Sequence, residues 1–188
     1  MGRTLQELTQ GQVPRTVDDL DALYKKIEKL GRWGWNPIEK IKKKVSSEVF
    51  TVYLGMDMIT KYQAGGWFYV LTPDGSIVPY ISDALTQLEL HEIEEIFCQR
   101  YSILPELADY TETECIHEPM NVLMFGEDYV PTDKRLRHYS KEERLRITKE
   151  FAEVIKQLDA QSDKVWGKEA PGEGFAVILR YIEKHLNY

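Results

Sequence analysis

"KYQAGGWFYVLTPDG" (residues 61–75) places two adjacent glycines between a helical pattern and three aromatic residues. A helix that ends here needs a left-handed residue after its last turn, and Gly65 or Gly66 can supply positive φ without a Cβ clash. We expect Trp67 and Phe68 to fold back onto the apolar stripe of that helix. The aromatic residues then form a helical turn or an irregular segment, although the Asp-Gly turn that follows also permits a short strand and a hairpin.

Helical periodicity extends through most of the chain. Side chains that favour helix starts occur at Thr16 with Asp19, at Asn36 with Pro37, and at Ser140 with Glu143. Apolar residues recur at three- and four-residue spacing over 20–30, 38–59, 81–87, 90–101, 140–158 and 175–186. The second of these stripes is expected to bend at its Ser-Ser pair. Residues 105–133 contain three prolines and little periodicity, which predicts one long irregular loop.

These patterns predict an all-α fold. A chain of 188 residues is within the range of one compact domain, and no low-complexity tract or linker divides it. We therefore expect a single helical bundle over residues 1–188, with residues 1–15 as a flexible N-terminal arm.

The composition excludes several classes of protein. No apolar run approaches the roughly 18 residues of a membrane span, and the first twenty residues lack the apolar core of a signal peptide, so we expect a cytoplasmic protein and no membrane partner. The two cysteines, Cys98 and Cys115, have no spacing typical of a disulfide framework or a zinc cluster. We expect both thiols to be reduced.

Charge is distributed unevenly along the chain. Residues 74–133 hold fourteen acidic residues and one basic residue, Arg100, for a net charge of −13. The other 128 residues have a net charge of +6, which gives −7 for the whole chain. Such an asymmetry opposes direct binding of nucleic acid at the acidic stretch and favours basic partners. A solvated face that aids solubility is the alternative interpretation.

Two stretches carry a resemblance to a known family. "AGGWFYVLTPDGSIVPYISDALTQLELHEIEEIF" and "FAEVIKQLDAQSDKVWGKEAPGEGFAVILRYIEKHLNY" resemble the DNA-mimic protein family, small acidic all-α proteins in which a helix ends at Gly-Gly followed by aromatic residues. The resemblance covers roughly residues 45–188. The family commonly has Asn and Gln where this chain has Ala64 and Tyr69. The resemblance implies an all-α fold and binding to a DNA-binding protein in place of its DNA.

Mimicry is physically reasonable because duplex DNA presents one negative charge per roughly 1.7 Å of its axis, and its protein partners bind that array with Lys and Arg. Carboxylates on one face of a protein can present a similar array. The candidate partner-binding residues are Glu89, Glu92, Glu94, Glu95, Glu106, Asp109, Glu112 and Glu114. The expected partner is a basic or DNA-binding protein. An immunity-type inhibitor of a toxin, such as a nuclease with a basic cleft, would use the same electrostatics.

The sequence also suggests a homodimer and a metal-dependent hydrolase. The basic runs at 39–44 and 133–146 can pair with the acidic stretch within the chain or in a second copy, so a homodimer is one expected arrangement. The candidate metal ligands of a metal-dependent hydrolase are His91, Glu95, Cys115 and His117. No phosphate-binding glycine loop or nucleophile elbow occurs. We predict a binding protein with no catalytic residues and no cofactor.

Overall fold

The computed structural model describes residues 2–31, 37–71, 77–110 and 116–186. Its helices, in chain order, are α1 (Leu5–Thr9), α2 (Val17–Gly31), α3 (Pro37–Lys44), α4 (Ser47–Leu71), α5 (Val78–Gln87), α6 (His91–Cys98), α7 (Arg100–Ile103), α8 (His117–Phe125), α9 (Lys141–Trp166) and α10 (Ala176–Leu186). Short 3-10 helices cover Pro105–Asp109 and Pro171–Gly174. No β-strand occurs in the described ranges, and the predicted compact all-α fold is confirmed.

Helix α4 lies at the centre of the packing. It contacts α2, α5, α9 and α10, and every residue from 49 to 56 is buried. A helix that is apolar on all sides belongs in the interior of a bundle. The buried apolar residues of the described chain accordingly form one core around it.

The stripe predicted from residue 38 to residue 59 is divided between α3 and α4. At the break, the backbone N–H of Arg3 donates to the carbonyl of Lys44, and the N–H of Ser46 donates to the carbonyl of Arg3, both at 2.8 Å. Backbone groups that pair with another segment cannot also continue the helical ladder. The expected bend is therefore a full interruption.

The expectation that residues 1–15 form a flexible arm is wrong for the described part, residues 2–15. Helix α1 begins with a capping box in which Thr4 and Glu7 each accept the other's backbone N–H. Its apolar side chains, Leu5 and Leu8, are buried, and the helix contacts α2 and α10. Burial of two leucines together with the bridge at Arg3 holds this segment on the domain.

The long loop expected over 105–133 is also wrong in part, because it contains α8 and a 3-10 helix. Pro119 lies in the first turn of α8, where a backbone N–H has no intrahelical partner and proline is tolerated. Met120 and Leu123 are buried, and α8 packs on α9. Packing on a neighbouring helix stabilises this element despite its weak sequence periodicity.

Candidate functional site

The twin glycines divide α4 into two helical parts, 47–64 and 67–71. Gly65 has an extended φ of −173°, and Gly66 has φ 68° and ψ −166°. The latter backbone conformation is open essentially to glycine alone. The predicted positive φ therefore belongs to Gly66, and the predicted helical turn of aromatic residues follows it.

Asp159 of α9 holds this junction in place. Its Oδ1 accepts the backbone N–H of Trp67 at 2.8 Å, which satisfies a donor at the start of the second helical part. A Cβ placed on Gly66 would lie 2.8 Å from the same oxygen. Nearby, the Tyr62 hydroxyl is 2.9 Å from the Asp159 carbonyl and 2.8 Å from Oδ1 of Asp163. The junction is thus bonded to α9 on both sides of the glycines.

Trp67 fills the core beside the two glycines, and its ring packs against other helices. Its side chain is fully buried, with ring centroids 5.4 Å from Phe97 of α6 and 5.8 Å from Trp166 of α9. Its indole N–H donates to Ser162 Oγ at 2.8 Å. Trp67 and Phe68 were expected to fold back onto the stripe of their own helix. Trp67 instead packs on rings of α6 and α9, and the side chain of Phe68 is 45% exposed.

Partial burial raises the pKa of Asp159 above its ordinary value, and the nearby charge of Asp163 acts in the same direction. A raised pKa means that the folded protein binds this proton more readily than the unfolded chain does. The stabilisation that this proton provides is present at low pH. It is lost as the pH rises through the folded pKa.

Replacing Asp159 with asparagine should therefore become more favourable as the pH rises. The amide oxygen can still accept the Trp67 N–H, whereas the cost of burying a carboxylate disappears. We expect the free energy of unfolding of Asp159→Asn, relative to the parent chain, to increase between about pH 4 and pH 7 in urea titrations. Asp159→Ala removes the acceptor and should be less stable than the asparagine variant at both pH values. A pH-independent difference between parent and Asp159→Asn would contradict this assignment.

The acidic residues predicted on α6 lie in different surroundings. Glu92 and Glu95 are exposed and Glu94 is half-buried. The carboxylate of Glu92 accepts a hydrogen bond from Gln161 Nε2 of α9, and that of Glu94 accepts one from the Cys98 thiol at 2.9 Å. The opposite face of α6 is buried through Ile93 and Phe97.

The other described candidates are Glu89, Glu106 and Asp109. Glu89 is exposed and forms an ion pair of 2.6 Å with Lys184, which lowers the pKa of its carboxyl. Glu106 is half-buried and accepts the Tyr139 hydroxyl at 2.7 Å. Asp109 has an exposed side chain. Glu112 and Glu114 lie outside the described residues.

Arg100, the one basic residue of the acidic stretch, lies in the interior. It is 2% exposed, and its guanidinium carbon lies 3.6 Å from the ring centroid of Phe97 and 4.1 Å from that of Tyr101. Its nitrogens donate to the Phe97 carbonyl and the Tyr101 hydroxyl. Burial lowers the pKa of this guanidinium, although arginine stays charged in proteins. The sequence gives no sign that this charge is removed from the surface.

The alternative of a metal centre was based on His91, Glu95, Cys115 and His117. Among the described residues, no group of three or more histidine, cysteine or carboxylate side chains is placed to hold a metal ion. Cys115 lies outside the described ranges. Cys98 is a free thiol whose pKa is raised by burial and by its hydrogen bond to Glu94.

Comparisons with protein-family models, curated proteins and solved structures give no match to this chain. Within the described residues, none of the helices combines the length and the apolar character needed to cross a membrane.

Proposed function

We propose that this chain is an acidic binding protein whose exposed carboxylates occupy the basic surface with which a partner protein binds nucleic acid. The residues that we assign to this surface are Glu92, Glu95 and Asp109, with Glu94 and Glu106 as half-buried members and Glu89 already paired with Lys184 within the chain. The proposal extends the resemblance to DNA-mimic proteins that the sequence carries. The partner is a basic or DNA-binding protein.

The burial of Arg100 carries this proposal. A stretch with fourteen acidic residues and one basic residue would be partly neutralised if that base were exposed among the carboxylates. Its guanidinium instead lies against the rings of Phe97 and Tyr101, and the residue is 2% exposed. The positive charge of Arg100 is therefore kept away from the surface on which acidic side chains of residues 77–110 and 116–133 are exposed. Lysine and arginine side chains of a partner could pair there with carboxylates, as they do with phosphates.

Three exposed carboxylates are suited to a test by charge reversal: Glu92, Glu95 and Asp109. Glu94 is kept because it is half-buried and accepts the Cys98 thiol, whereas Glu92, which accepts Gln161 Nε2, is exposed. We expect the combined change to lysine to weaken binding of a DNA-binding partner, captured from native cell extract, by about tenfold or more, because like charges then face each other. The measurement is competition: the parent chain should displace duplex DNA from the captured protein, and the variant should not.

A matched control reverses three exposed acids elsewhere, Glu28, Glu169 and Glu183. It changes the net charge by the same amount, so only the location differs. We expect this control to bind within about threefold of the parent. Affinity should also fall steeply between about 50 and 200 mM salt. Equal losses in the two variants, or binding that ignores salt, would overturn the proposal, and capture of a toxin would indicate an immunity protein instead.

A further inference from the structure

Two phenylalanine rings from different helices meet at the surface. Phe68 comes from the short helical part after the glycines, and Phe125 is the last residue of α8. Their centroids are 5.8 Å apart and the ring planes cross at 87°, an edge-to-face pair. Yet the side chains are 45% and 42% exposed. The contact therefore leaves much of each ring open to solvent.

The surface around Phe125 also carries negative charge. The backbone N–H groups of Asp128 and Tyr129 both donate to the Phe125 carbonyl, at 3.0 and 2.9 Å. In this turn Gly126 follows Phe125, and Glu127 and Asp128 come next, both exposed. Val130, which follows, is 71% exposed. Aromatic rings, an aliphatic side chain and carboxylates thus share one short stretch of surface.

This combination fits a guanidinium group. Arginine stacks on aromatic faces and pairs with carboxylates through its planar array of donors. An anionic ligand, such as a nucleic acid or an acidic lipid surface, would be repelled by Glu127 and Asp128. A second copy of the chain docking through the same patch would bring those like charges together. One base, Arg144, donates to the Gly126 carbonyl at 3.0 Å, but it is only 8% exposed and presents little charge at this surface. Charge complementarity therefore selects a basic protein segment.

We infer that Phe68 and Phe125, with Glu127 and Asp128, form a docking site for an arginine-bearing segment of a partner protein. This inference goes beyond the proposed function, because it does not require the carboxylates of α6 to imitate nucleic acid. The rings supply cation–π and apolar contact, and the carboxylates fix the guanidinium. Aromatic side chains that are half-exposed before binding are typical anchors of protein interfaces.

The probe is a fluorescein-labelled peptide of alternating arginine and glycine, with a control peptide in which citrulline replaces arginine. We expect the parent chain to bind the arginine peptide and not the citrulline peptide in fluorescence anisotropy titrations. The double variant Phe68→Leu/Phe125→Leu keeps apolar side chains and the net charge. Since both cation–π contacts are lost, this variant should lose about tenfold in affinity.

Two further variants separate the contributions. Phe68→Tyr/Phe125→Tyr retains both rings and should bind within about threefold of the parent, which also controls for folding. Glu127→Gln/Asp128→Asn should weaken binding without a change in melting temperature. The inference is overturned if the parent does not bind the arginine peptide, or if the leucine variant binds it as tightly as the parent. Neither result affects the test of the proposed function, because the reversal of Glu92, Glu95 and Asp109 leaves this patch intact.

Discussion

Replacing Trp67 with alanine is expected to lower the free energy of unfolding by about 3–5 kcal/mol, the usual cost of truncating a large buried aromatic side chain. The indole is fully buried and packs on rings from two other helices, Phe97 and Trp166. Its removal leaves a cavity where α4, α6 and α9 meet. Urea unfolding followed by circular dichroism measures the loss, and the melting temperature should fall by roughly 10 °C for a chain of this size.

Smaller changes at the same place should cost less. Trp67→Phe keeps an aromatic ring and loses the hydrogen bond to Ser162. Ser162→Ala keeps the indole and leaves its N–H without that acceptor, which should cost about 1–3 kcal/mol. A loss below about 1.5 kcal/mol for Trp67→Ala would contradict this prediction. It would mean that neighbouring helices move into the cavity and that the indole is not the main contributor to the stability of this junction.

Local signals in the sequence predicted the helices well. The start at Thr16 is confirmed by the Asp19 N–H, which donates to Thr16 Oγ1 at 3.2 Å. The capping box of Ser140 and Glu143 is likewise present at the start of α9. These signals are reliable because the residues involved lie within one turn of each other, so their geometry depends little on the rest of the fold.

Features that depend on distant residues could not be predicted in this way. Helix α9 was expected to end near residue 158, where its apolar stripe thins, and it continues to Trp166. Its last two turns carry Asp159 and Ser162, which bond to Trp67 some ninety residues earlier in the chain. Periodicity reports the buried face of a helix and says nothing about which distant donors its polar residues will meet.

The sequence alone also could not predict which residues of the candidate surfaces are buried and which are exposed. Charge along the sequence identified the acidic stretch, but the burial of Arg100 and the exposure of Phe125 follow from tertiary packing. Arg100 resembles any surface arginine in the sequence, and Phe125 resembles a core residue at the end of a helix. In the structure these roles are reversed. The two proposals therefore rest on positions whose residue type alone would have been misleading.

Replacing Gly66 with alanine is expected to destabilise the fold by about 3 kcal/mol. The residue has φ 68° and ψ −166°, a region whose cost for other residues is of order 1–3 kcal/mol. A steric cost adds to it, because the new Cβ would lie 2.8 Å from Asp159 Oδ1. That oxygen accepts the Trp67 N–H, so any shift that relieves the clash also weakens the hydrogen bond. Urea unfolding of the variant measures the sum of these effects.

Gly172 offers a comparison at a less restricted position. It also has positive φ, at 62°, but its ψ of 35° is in the left-handed helical region that other residues can adopt at modest cost. A Cβ there would meet only the Ala176 Cβ, at 3.4 Å, so Gly172→Ala should lose only about 1 kcal/mol. A loss of only about 1 kcal/mol for Gly66→Ala would contradict this prediction. It would mean that neither the backbone conformation nor the contact with Asp159 restricts this position, and the junction would then not require glycine.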